Sequence, residues 1–169
     1  MTDPRPAADG APAIGAAELE TYFVLMEAVS LLEHRIEQQL RAEGDISYVQ
    51  FQLLARLSAR GPLTMTDLAD GVVYSRSGLT YQAGLLDKAG LITRAPCPDD
   101  ERATLVTITD DGRTLLGRVM PGHVQVTRLL LDPLSGPDLE HLRDIMTRVR
   151  DNLRAQPPRS ATPRKRRSP

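Results

Sequence analysis

The sequence predicts a mainly α chain with a small β-hairpin, an α+β arrangement in which long helices flank a compact centre. Three observations predict it. Long segments towards both ends repeat apolar residues at steps of three and four. The middle third places several helix starts and stops close together. Between residues 91 and 109 the period changes, and two short β-branched runs, LITRA and ATLVTIT, stand on either side of a proline-edged charged stretch.

Residues 1–16 are rich in Ala, Pro and Gly and are expected to be disordered. A long helix follows over about 17–43. Its apolar stripe is Leu19, Tyr22, Phe23, Met26, Val29, Leu32 or its neighbour Leu31, Ile36 and Leu40, and Gly44 is placed to stop it at the C′ position. Ser47 starts the second helix as its N-cap, with Gln50 completing a capping box and Ile46 and Phe51 spaced as a hydrophobic staple. Val49, Leu53, Leu54 and Leu57 form the buried face, and Gly61-Pro62 ends the helix. Thr64 caps a short helix that contains Asp67 and Leu68. Gly71–Tyr74 is a turn, and Ser75 caps a further helix with Leu79, Ala83 and Leu86 turned inward and Gly90 closing it. Gly78 and Gly84 each weaken that helix by roughly 1 kcal/mol relative to Ala, so packing or a close approach by another body has to compensate. Residues 91–95 and 103–109 form the hairpin, with PCPDDER as its loop. Thr109 caps a helix that Pro121 interrupts before it continues to about Leu131. Ser135 and Asp138 open the last helix, striped by Leu139, Leu142, Ile145, Met146, Val149 and Leu153, and Pro157 ends it.

Two short helices joined by a turn and followed by a β-hairpin make a helix-turn-helix with a wing. The second helix of such a unit presents its N-terminal residues to base edges in the DNA major groove. The outward residues at that place are Arg76, Ser77, Thr80, Tyr81 and Gln82, polar or cationic groups suited to phosphates and bases. Ser75, as cap, leaves backbone N–H groups able to take a phosphate. At the hairpin tip Arg102 can reach a minor groove, and Asp100 is expected to hold its guanidinium by a charged hydrogen bond. The plain alternative is a solvated helix face and a surface ion pair of little energy.

Charge is unevenly placed. The whole chain carries −1, but residues 157–169 hold five cations and no anion, which leaves 16 cations against 22 anions on residues 1–156. The tail over 156–169, with its prolines, is expected to be a disordered basic arm that adds sequence-independent attraction to phosphates. Segment 61–105 has four cations and six anions, so its own phosphate attraction is weak. The single cysteine, Cys97, excludes a disulfide framework and a cysteine zinc site, and Asp99 and Asp100 beside it disfavour a reactive thiolate. No run of 18 apolar residues and no secretory signal is present, so a cytoplasmic protein is expected. No phosphate loop, metal-ligand spacing or nucleophile elbow occurs, so neither an enzyme nor a metal or cofactor is expected.

The motifs LTMTDLA, SRSGLT, LLDKAGLITR and PDDERATLVTITDDGR, in that order and spacing, resemble the MarR (multiple antibiotic resistance regulator) family of bacterial transcription factors over about residues 63–116. The resemblance implies a winged helix-turn-helix core over about 47–109, dimerisation helices over about 17–43 and 110–155, and thus a single domain over 17–155. It implies a homodimer whose recognition helices enter successive major grooves of a pseudo-palindromic double-stranded DNA operator, more often as a repressor. By the same analogy the DNA-facing set is Ser75, Arg76, Ser77, Thr80, Tyr81 and Gln82, with Thr64, with Arg94 near the wing, and with Asp100 and Arg102 at its tip. A small phenolic or anionic effector would sit between arms and core, with Tyr22, Met26, His34, Tyr48, Phe51 and His123 as candidate pocket residues by position. The chain departs from the family pattern at Tyr81 and Glu101, where basic or small residues are common. With the acidic body, that keeps a second reading open, a protein-interaction module on a winged-helix scaffold.

Overall fold

The structure, a computed structural model, describes residues 14–69, 76–98 and 100–155, with Arg76 and Glu101 described by their backbone. Among these residues the order is α1 (Ala16–Gly44), α2 (Tyr48–Arg60), β1 (Leu63–Thr64), α3 (Met65–Ala69), α4 (Arg76–Lys88), β2 (Ile92–Cys97), β3 (Asp100–Ile108), α5 (Asp110–Leu131) and α6 (Gly136–Ala155). Residues 1–13 and 156–169 of the two segments expected to be disordered, and the turn with its Ser75 cap, lie outside the described residues, while Ala16 already opens α1. The chain divides into two compact units between Thr127 and Arg128. The first holds α1 to the greater part of α5, and the second holds the end of α5 and α6.

The core of the first unit is built by α2, α4, the sheet and the near ends of α1 and α5. Leu53, Leu54 and Leu57 of α2, Leu68 of α3, and Leu79, Ala83 and Leu86 of α4 are buried, together with Ile36, Leu40, Ile92, Val106 and Val119. The capping box of α2 forms as its spacing predicts. The Gln50 N–H donates to Ser47 Oγ (3.3 Å), and the Ser47 N–H donates to Gln50 Oε1 (2.9 Å). Ile46 and Phe51 of the staple are both buried. A further partner comes from α1, where Glu37 Oε2 accepts the Tyr48 N–H at 2.7 Å, a carboxylate at the positive end of α2.

Four local expectations are corrected. The first concerns the end of α1, which runs through Gly44 and is capped by Asp45 in the left-handed region (φ 52°). Asp tolerates that conformation, whereas a methyl group at Gly44 would come within 2.7 Å of Val119 Cγ1. Gly44 therefore serves the approach of α1 to α5, not the turn. Second, the sheet has three strands in the order β1-β3-β2, because Leu63 and Thr64 pair antiparallel with Val106 and Leu105. A two-residue strand leaves no periodicity to read.

Third, the hairpin loop is two residues long rather than seven. Cys97 pairs with Asp100 while Pro96 pairs with Thr104, and the register shift between them puts extra β3 residues at the tip. Pro96 is tolerated because β2 is an edge strand. Fourth, α5 is not interrupted at Pro121 but forms one helix of 22 residues. The residue whose carbonyl the proline ring crowds, four positions back, is Gly117.

Thr109 ties the start of α5 to the end of α4. Its Oγ1 accepts the Gly112 N–H (3.1 Å) and donates to the Gly90 carbonyl (2.7 Å), while its N–H donates to the Leu91 carbonyl (3.1 Å). A side chain at Gly112 would collide with the Leu91 carbonyl oxygen, so this joint closes only around glycine.

In the second unit, Ser135 opens α6 as predicted, with its N–H (3.0 Å) and Oγ (2.5 Å) both donating to Asp138 Oδ2. These bonds hold the Asp138 carboxyl below its ordinary range. No residue of α6 is buried, although its apolar stripe is regular.

Candidate nucleic-acid interface

The site starts from α4. Burial of Leu79, Ala83 and Leu86 orients the helix, and its C-terminus is closed by a Schellman motif. The Leu91 N–H donates to the Leu86 carbonyl (2.9 Å) and the Gly90 N–H to the Asp87 carbonyl (3.0 Å), with Gly90 at φ +73°. This leaves Ser77, Thr80, Tyr81 and Lys88 on the exposed side, Tyr81 at 65%. Arg76 opens the helix.

Gln82 departs from the expected outward set. Its Oε1 is buried without a described partner, because position 82 lies at the edge of the buried face beside Leu79 and Leu86. Thr64 is also engaged locally. Its hydroxyl accepts the Asp67 N–H (3.1 Å) and donates to Asp67 Oδ2 (2.7 Å), which starts α3.

The wing stands beside α4. Val106 and Ile108 of β3 and Ile92 of β2 are buried, while Arg102, Thr104 and residues 93–96 are exposed, so the hairpin's outer half projects beyond the core. Asp100 does hold Arg102, but by the main chain. Its Oδ1 accepts the Arg102 N–H at 2.9 Å, an Asx-type turn that shapes the tip and leaves the guanidinium to other contacts. Arg94, expected to face DNA, pairs with Asp87 of α4 (Nε to Oδ2, 2.9 Å), each side chain about one-third exposed. The pair ties the wing to the recognition helix across a shallow groove lined also by Ala95, Pro96, Ala103 and Thr104. Asp87 was missed because its partner lies on the next element, at a spacing no helical or strand repeat provides.

The proposed effector residues separate into two groups. Tyr48, Phe51 and His123 come together, with ring centroids 4.3 Å apart for Phe51 and His123 and 6.5 Å apart for Tyr48 and each of the others. Burial lowers the His123 pKa from its ordinary 6.5, and its Nδ1 is buried with no described partner. Tyr22, Met26 and His34 lie exposed on α1, and no described contact joins them to that trio. The helix has 29 residues and buries only Ile36 and Leu40, near its C-terminal end, so its first half lies outside the core. Among the described residues no cluster of His, Cys, Asp and Glu is arranged for a metal, and no helix is long and apolar enough to cross a membrane.

Comparison with known proteins agrees with this geometry. The model of the MarR family matches residues 44–103. The HTH-type transcriptional regulator PecS of Dickeya dadantii (strain 3937) is 30% identical over 131 residues, 76% of this chain and 79% of PecS. The crystal structure of Sco3205, a MarR family transcriptional regulator from Streptomyces coelicolor in complex with DNA, matches with a TM-score of 0.82 at 33% identity, over 89% of this chain and 94% of that one. AbsC, a MarR family transcriptional regulator from the same organism, gives 0.80 at 26% identity over 86% and 100% of the two chains. Together with the helix-turn-helix and wing, these likenesses show that the chain belongs to the MarR family of transcriptional regulators.

Proposed function

We propose that the chain acts as a homodimer that binds a pseudo-palindromic DNA operator as a repressor, with α4 in the major groove and the wing at the adjacent minor groove. The observation that carries this is the pairing of an exposed polar α4 face with a projecting wing that bears Arg102. The DNA complex of Sco3205 supports the same use here. The working set is Ser75, Arg76, Ser77, Thr80 and Tyr81 on or before α4, and Arg102 on the wing, with Asp100 shaping the tip and Arg94 bracing it.

Dimerisation is supported by apolar surface that the chain leaves bare. α1 exposes Leu19, Tyr22, Met26 and Val29 in line with its buried end, and Val24 and Leu31 on the opposite side. Two apolar faces on one helix call for cover from more than one neighbour. In this reading residues 17–155 form a single domain that is completed by a second copy. The effector, a small phenolic or anionic compound, would act near Tyr48, Phe51 and His123, where arm and core helices meet. It releases DNA only if it binds the two states with different affinity.

The test is equilibrium binding to a duplex selected from a random pool. Arg76→Ala and Arg102→Ala each reduce affinity by about 1–3 kcal/mol if they contact bases, while the variants remain folded dimers. Full affinity in both would overturn the assignment. The acidic balance of segment 61–105 favours one competing reading, a protein-interaction module, which predicts no DNA binding even at low salt.

A further inference from the structure

α4 contains a glycine, Gly84, for which no contact among the described residues supplies a reason. Glycine within a helix costs stability relative to alanine, so it is retained where a side chain would not fit. For three helix glycines that reason is internal. A side chain at Gly112 would strike the Leu91 carbonyl, one at Gly44 would strike Val119, and one at Gly122 would strike the Glu43 carboxylate. Gly117 and Gly136 meet open space, Gly117 on α5 and Gly136 as the first residue of its helix, where propensity counts least. Gly84, too, has no internal contact to explain it. A methyl group there would meet no atom within 4 Å, and the left-handed backbone that favours glycine is not used at this position.

The place of Gly84 on the helix suggests what the vacancy serves. Ser77, Tyr81, Gly84 and Lys88 recur at steps of four, three and four, which puts them on one face. Ser77, Tyr81 and Lys88 are exposed, and the buried residues Leu79, Ala83 and Leu86 lie on the other side. The gap thus falls in the middle of the face that the DNA-binding reading turns to the groove. We infer that Gly84 is where α4 comes closest to bound DNA, its bare backbone passing against a sugar-phosphate wall of the major groove. The first turns of a recognition helix meet base edges, while later turns meet the backbone that positions it. The inference rests on the DNA-binding reading and adds to it a residue that sets the depth of insertion.

The test uses Gly84→Ala and Gly84→Leu in the full chain. It measures thermal unfolding without DNA and affinity, at one salt concentration, for two duplexes: one selected from a random pool by the wild-type protein and one of arbitrary sequence. Gly84→Ala is expected to melt at or above the wild-type temperature. It is expected to bind both duplexes about tenfold more weakly, the scale of forcing a methyl group into a closed contact, and Gly84→Leu more weakly still. Wild-type affinity for both duplexes in Gly84→Ala would overturn the inference while leaving the DNA-binding reading intact. A loss confined to the selected duplex would overturn the backbone wall in favour of a base contact. A lowered melting temperature in Gly84→Ala would show an internal role and overturn it as well. If the wild-type protein bound neither duplex, the DNA-binding reading and the inference would fall together.

Discussion

The two halves of α1 carry the same apolar periodicity and meet different surroundings. Near the C-terminal end, Ile36 and Leu40 are 4% and 0% exposed, while Leu19, Tyr22, Met26 and Val29 further up the same stripe are each at least 40% exposed. α2 and α6 repeat the contrast. The shorter α2 buries five residues, whereas the 20-residue α6, with an equally regular stripe, buries none. Periodicity states which face of a helix seeks cover. Whether the cover comes from the same chain depends on where the helix projects, and in this chain the centre is self-sufficient while the arms are not.

The contrast can be broken from the core side most strongly. Leu54→Ala is expected to cost about 2–5 kcal/mol in denaturant unfolding, because a wholly buried leucine leaves a cavity. Gly112→Ala should be of similar severity, as its methyl group has to displace the Leu91 carbonyl at the joint between α4 and α5. On the arm side, the double substitution Ile145→Glu and Val149→Glu touches residues that are exposed within the chain, and a monomer should barely notice it. The dimer reading expects sedimentation to shift towards the monomer and melting to become more sensitive to protein concentration. Unchanged sedimentation would remove the argument that a second copy covers α6.

A smaller effect links arm and core through His123. Burial lowers its pKa below 6.5, so the folded state favours the neutral ring. The unfolded chain then binds the extra proton more readily, and stability rises with pH across that interval. Stability should therefore be fully present above pH 6.5 and decline as the pH falls through 6.5 towards the lowered value. His123→Gln should flatten that part of the melting-temperature profile, and an unchanged slope would assign it to other groups. The smallest expected change is Asp87→Asn. Its pair with Arg94 is partly solvated, so stability should change by less than about 1 kcal/mol. DNA affinity should fall less than in Arg102→Ala, and an equal or larger fall would make the brace as important as the contact.

Much of the centre was legible residue by residue, because its elements begin and end on local chemistry. Ser47 with Gln50, Thr64 with Asp67, and Thr109 with Gly112 cap their helices as their spacing predicts. The candidate site was legible in its helix and wing but not in the aim of its side chains. Gln82 turns its carbonyl inward, and Arg94 is taken up by Asp87. Both outcomes depend on neighbours from other elements, which no local pattern encodes. The wing tip was misread for a related reason, since strand pairing at Cys97 and Asp100 extends into a segment whose proline and charges read as loop.

By itself the sequence determined the helix caps, the inward faces of α2 and α4, the hairpin and the family, since each rests on contacts within a few residues or on an ordered set of motifs. Only the tertiary structure decided that Gly44 serves packing rather than capping, that two residues at Leu63 join the sheet, and that α5 continues through Pro121. It also separated buried stripes from bare ones. Those outcomes turn on which surfaces meet across long stretches of chain, and an amphipathic pattern carries a need for cover without the identity of what supplies it.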